Sequence, residues 1–83
     1  MKKEDLEQMN IPDRAMVERV RAEYPPGTKV ELLSMDDTQA PPVGTIGEVL
    51  AVDDTGSLIM RWQNGSGLNV LFGIDRVRKV DPQ

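Results

Sequence analysis

The chain has 83 residues, 39% of them hydrophobic, with no cysteine, no histidine and a formal net charge of −4. That length allows one small domain with a modest core and marginal stability, and the missing Cys and His exclude disulfides, Ser-His or Cys-His catalysis and most zinc sites. Acidic groups outnumber basic ones by six to five up to Tyr24 and by eight to five after it, which leaves no basic footprint for a phosphate backbone and disfavours nucleic-acid binding.

At the start, Lys2 and Lys3 are followed by Glu4, Asp5 and Glu7 where a secretory signal would need an apolar run. No stretch approaches the ~20 apolar residues of a membrane span, so a cytoplasmic protein without membrane association is expected. Met1 to Asn10 reads as a frayed helical turn or a disordered lead. Pro12 suits the first turn of a helix, which puts the cap at Asn10 or Ile11. From Asp13 to Tyr24, Met16 or Val17, then Val20, then Tyr24 follow the three-and-four spacing of one helical face. Pro25 stops the helix, because the residue before a proline avoids the α region.

Pro26-Gly27 opens a β part in which five short apolar runs alternate with turn signals. Lys29 to Met35 is the first strand, with Val30 and Leu32 inward. Asp36 to Val43 is a long loop. Thr45 to Asp53 is the second strand, and Gly47 inside it marks a bulge or the close approach of another backbone. Asp53-Asp54-Thr55-Gly56 is a hairpin turn. Ser57 to Trp62 is the third strand, with Leu58, Met60 and Trp62 on one face. Asn64-Gly65 is the strongest hairpin signal in the chain. Leu68 to Phe72 is the fourth strand, Gly73-Ile74-Asp75 a tight turn, and Arg76 to Val80 the fifth. No internal repeat is read.

Tyr24-Pro25-Pro26-Gly27-Thr28, Val30-Glu31-Leu32, Ser34-Met35-Asp36-Asp37, Gly44-Thr45, Val52-Asp53-Asp54, Trp62, Asn64-Gly65-Ser66 and Gly73-Ile74-Asp75 together resemble the pattern of small SH3-like barrels. More closely, the chain is similar to a family of short proteins carried by phages and conjugative elements of Gram-positive bacteria. The likeness covers roughly residues 14 to 80, and the Ser-Met-Asp-Asp after the first strand is its most specific part. It implies a mobile-element origin, an SH3-like fold and no catalytic residues. Gln63 and Phe72 depart from the family's usual Asp and Pro, both at turn edges.

The expected fold is therefore mainly β: a five-stranded SH3-like barrel over residues 25–83, preceded by a helical segment over 1–24. The expected function is a non-enzymatic protein-interaction module acting on a host protein, with no cofactor and no metal. Its binding face is assigned to Asp36, Asp37, Trp62, Asn64 and Phe72. Aromatic side chains near loops form peptide grooves in such barrels, although Trp62 and Phe72 also suit a core this short of large apolar groups. The acidic pairs Asp36-Asp37 and Asp53-Asp54 read as loop and turn caps, or else as a divalent-cation site or an acidic binding patch. Arg76, Arg78 and Lys79 form the basic cluster of the alternative, a nucleic-acid accessory protein, or else protect a terminal strand edge.

Overall fold

The computed structural model describes residues 13–80. The expected lead over residues 1–10, Pro12 and the tail after Val80 lie outside the described residues. One helix, α1 (Arg14–Glu23), precedes four strands: β1 (Lys29–Ser34), β2 (Ile46–Val52), β3 (Leu58–Trp62) and β4 (Arg76–Lys79). The strands form one antiparallel sheet in the order β3-β2-β1-β4.

The helix starts later than Pro12 suggested. Asp13 is its N-cap: the backbone there is extended, and the carboxylate accepts a hydrogen bond from the Ala15 N–H at 3.1 Å, satisfying one donor that the first turn would leave unpaired. Val17 and Val20, three apart, are buried, while Met16 and Tyr24 pack half-buried against the core. The helix thus lies on its own sheet.

β1, β2 and β3 bury alternate residues, as a half-buried sheet requires, while β4 buries none and holds only Val77 half-buried. Val30 and Leu32 of β1, Val49 of β2, and Leu58, Met60 and Trp62 of β3 point into the core. Gly47 opposes Trp62 across the β2–β3 pair. A Cβ at Gly47 would lie 2.5 Å from Cε3 of Trp62, so the glycine makes room for an indole rather than for a backbone. The β2 irregularity sits further along, between Val49 and Ala51.

A repeat missed in the sequence builds two of the turns. Pro25-Pro26-Gly27-Thr28 and Pro42-Val43-Gly44-Thr45 share the pattern Pro-x-Gly-Thr. In both, the threonine N–H (3.1 and 3.0 Å) and Oγ1 (2.6 Å each) donate to the proline carbonyl. Both glycines have φ of +95°, as the third position of a type II turn demands. The same four residues therefore deliver the chain into β1 and into β2.

The expected five-stranded barrel is not formed: the sheet has four strands and does not close. Of the expected fourth strand, Leu68 to Phe72, a single bridge between Val70 and Leu58 remains. Side chains take the hydrogen bonds a ladder would use. Asn69 Oδ1 accepts from the Met60 N–H at 3.3 Å, Ser66 Oγ accepts from the Leu68 N–H at 3.2 Å, the Trp62 indole N–H donates to the Leu68 carbonyl at 2.8 Å, and Asp75 accepts from the Leu71 N–H at 2.8 Å. The chain leaves the β3 edge at Val70 and rejoins the sheet as β4 at the opposite edge, so residues 71–75 must span from one edge to the other.

Candidate functional site

The edge-to-edge passage creates the most distinctive surface of the molecule. Within residues 71–75, Ile74 and Asp75 N–H groups both donate to the Leu71 carbonyl, and the Asp75 carboxylate returns a bond to Leu71. This closed turn leaves Leu71, Phe72 and Ile74 outward, with Phe72 51% and Ile74 68% exposed. Three large apolar side chains exposed within four residues are a patch rather than the scatter of single exposed apolar groups expected on any surface.

Beside this turn lies a groove of about 300 Å³. Val20 and Glu23 of α1, with Tyr24 at its C-cap, form one wall, and Phe72 and Gly73 the other. Leu58, Val70 and Val77 line its floor, and Glu23, Asp75 and Arg76 carry its charge. The wall on the helix side is fixed by two contacts. Arg21 donates to the Val52 carbonyl at 3.2 Å and to Asp54 at 2.9 Å, and the Met16 sulfur sits over Gly56, 3.2 Å from where a Cβ would be. Burial, reinforced by the Glu23 carboxylate, raises the Tyr24 phenol above its usual pKa, so the ring edge of the groove is neutral at pH 7. Lys79 Nζ stands 5.1 Å from the centroid of the same ring, within cation–π range.

The sequence-assigned residues distribute as follows. Phe72 is in the groove wall. Trp62 is 2% exposed in the core, held by the indole bond to Leu68. Asp37 caps a turn of the long loop, accepting from the Gln39 N–H at 2.8 Å, and Asp36 is exposed beside it. Asn64 caps the β3 hairpin, accepting from the Ser66 N–H at 3.0 Å. Asp36, Asp37 and Asn64 share the end of the sheet where β1 and β3 finish and β2 begins, apart from the Leu58 and Gly56 side of the groove. Asp53 ties the other hairpin through Thr55 and Ser57. Chiefly through the Thr55 hydroxyl, its carboxyl is held below the usual range. Among the described residues, no three acidic groups converge as a metal would need.

The basic cluster is divided. Arg78 pairs with Glu31 at 2.5 Å on the outer face of the sheet, Lys79 faces Tyr24, and Arg76 lines the groove. The outer face carries a further charge ladder. Glu48 binds Arg61 at 2.6 Å and Lys29 at 3.7 Å, and the Arg61 hydrogen bond, followed by Lys29, holds its carboxyl low. Sequence reasoning missed Leu71, Ile74, Tyr24 and Val77 as site residues. The available signal was the apolar run Leu71-Phe72-x-Ile74 laid across a glycine turn, where polar residues are the norm.

The molecule is a small, mainly β domain: an open four-stranded antiparallel sheet backed by one helix, with an apolar groove at the helix end. Residues 13–80 match the family described as Domain of unknown function (DUF4314), and the chain belongs to that family. No curated protein and no solved structure is similar to it. Among the described residues, no helix is long and apolar enough to cross a membrane.

Proposed function

We propose that the protein is a non-enzymatic interaction module that binds a partner protein by seating an apolar side chain of that partner in the groove between Tyr24 and Phe72. The supporting observation is the exposure of Leu71, Phe72 and Ile74 beside a concave apolar floor. Grooves of this size hold one or two side chains, and aromatic walls with few polar groups suit peptide anchors. The resemblance to mobile-element proteins extends the reading: the partner is a protein of the bacterial host, and the module modulates it. Nucleic-acid contact through Arg76, Arg78 and Lys79 draws less support, since Arg78 and Lys79 are engaged within the molecule.

The test is affinity capture from nuclease-treated lysate of a Gram-positive host, using the natural chain beside the double substitution Phe72→Ser, Ile74→Ser. A stoichiometric protein captured by the first and lost by the second supports the reading. Equal capture by both, or recovery that depends on nucleic acid, removes it.

A further inference from the structure

The groove is the gap left by a sheet that does not close. Leu58 and Val70 bring one edge of the sheet to its floor, and Val77 of β4 brings the other. The two edges differ. At the β3 edge, Val70 and Leu58 exchange both main-chain bonds at 2.9 and 3.0 Å, and Asn69 takes the Met60 N–H. At the β4 edge, no turn, loop or cap bond among the described residues takes the main-chain groups of Val77 or Lys79. The pairing with β1 does not take them either. The Val80 N–H donates to the Lys29 carbonyl at 2.9 Å, and Arg78 lies opposite Glu31. Alternation along an antiparallel pair then turns the main chain of Arg78 and Val80 toward β1 and that of Val77 and Lys79 away from it. Two N–H and two C=O groups thus stand open along the rim of the groove, in the spacing of a strand.

The outer face of the sheet indicates which side chains would continue it. Residues directly opposite one another pair by charge there: Arg61 with Glu48, Glu48 with Lys29, and Glu31 with Arg78. Glu48 serves a cation on each neighbouring strand. Arg78 has a neighbour on one side alone, and its side chain is 61% exposed, so the next rung calls for a carboxylate. Two copies joined through β4 would instead set cation against cation, because three of its four residues are Arg or Lys, and like charges directly opposite are unfavourable.

We infer that the partner enters as an added strand: an extended segment of alternating apolar and acidic side chains, hydrogen-bonded to Val77 and Lys79 along the free edge of β4. The acidic residue opposite Arg78 points to the outer face. The apolar residue beside it, opposite Val77, points to the other face and enters between Tyr24 and Phe72. This rests on the interaction reading above and adds the form and chemistry of the partner. Strand addition draws affinity from main-chain bonds and specificity from alternate side chains. A phosphate of a nucleic acid or a lipid also suits Arg78, but it brings no row of alternating donors and acceptors for the strand edge.

Two ten-residue peptides test it. One alternates Glu with Val and Leu, and the other is its twin with Lys at every Glu. Binding to the full chain is followed by the exchange of single amide protons with water. Strand addition ties up the Val77 and Lys79 protons, so the acidic peptide at saturation is expected to slow their exchange about tenfold. It is also expected to bind about tenfold more tightly than its twin at low salt, since one gains a carboxylate opposite Arg78 and the other a like charge. Arg78→Gln is expected to erase that preference. Lys79→Pro removes an outward donor without taking a bond from β1, and is expected to weaken the binding of both peptides. An otherwise unchanged amide spectrum checks that each variant is folded. Equal binding of the two peptides overturns the inference and leaves the interaction reading standing. So do amide shifts at Val70 and Phe72 with no slowing at Val77 and Lys79. No binding of either peptide overturns it too, and the lysate capture above decides separately whether the interaction reading falls with it.

Discussion

A methyl group added at Gly47 would sit 2.5 Å from the Trp62 ring, whereas one added at Gly27 would meet nothing within 4 Å. Both substitutions are expected to destabilise, for unrelated reasons. Gly27→Ala forces a side chain into φ of +95°, a backbone cost of about 1–2 kcal/mol. Gly47→Ala overpacks a buried ring, at about 2–3 kcal/mol. Urea unfolding of each variant, alone and combined with Trp62→Leu, separates the causes: the smaller side chain should relieve Gly47→Ala and leave the Gly27→Ala cost unchanged. Asp53 acts through charge instead. Its folded pKa lies below the unfolded value near 4, because the Thr55 hydroxyl and the Thr55 and Ser57 amides bind the carboxylate. Its contribution is therefore fully present above that unfolded pKa and disappears as pH falls through the lower, folded pKa. Asp53→Asn keeps the acceptor but not the titration, so its stability should fall less than that of the natural chain as pH drops below about 4, measured by thermal unfolding across pH.

At the level of elements, docking of α1 depends on two valines more than on its visible ion pair. Val20 is buried, and Val20→Ala removes two methyl groups at about 0.8 kcal/mol each plus a cavity, about 2 kcal/mol in all. Arg21→Ala breaks a contact with Asp54, whose side chain is 99% exposed, and is expected to cost no more than about 1 kcal/mol. Denaturant unfolding should rank the two in that order. The helix, its buried face and all four strands are legible in the sequence, because each rests on a local period of three-to-four or two. The additional strand expected over Leu68 to Phe72 does not form. Leu68, Val70 and Phe72 alternate as a strand should, but whether a ladder forms depends on where Ser66, Asn69 and Asp75 place their oxygens, and that is a tertiary matter. The barrel expectation failed with it, since closure needed that ladder. Similarly, Phe72 was legible in the candidate site as an aromatic beside a turn. Leu71 and Ile74 were not, because Gly73 and Asp75 read as a turn that happens to contain them. Asn69→Ala tests the substitution of side chain for ladder: it leaves the Met60 N–H without its partner, at about 1–3 kcal/mol.

For the molecule as a whole, the decisive question is whether helix and sheet are one cooperative unit. A boundary at Tyr24, between a helical segment and a β domain, is what the sequence alone suggests. The packing argues for unity, because Val20 belongs to the same buried cluster as Val30, Leu32, Val49 and Trp62, and Arg21 bonds directly to the β2 terminus. A sheet this small exposes one whole face of its core when the helix is removed, and a ten-residue helix is too short to persist alone in water. Each part therefore lacks a stable state without the other. The two parts also carry separate reporters: Trp62 is the single tryptophan and lies beneath the sheet, while helical circular dichroism reports α1. The expected outcome is that tryptophan fluorescence and the helical signal at 222 nm lose half their amplitude at the same urea concentration. An earlier midpoint for the helical signal would mean that α1 detaches first, and the groove it walls would then be a transient feature instead of a fixed one.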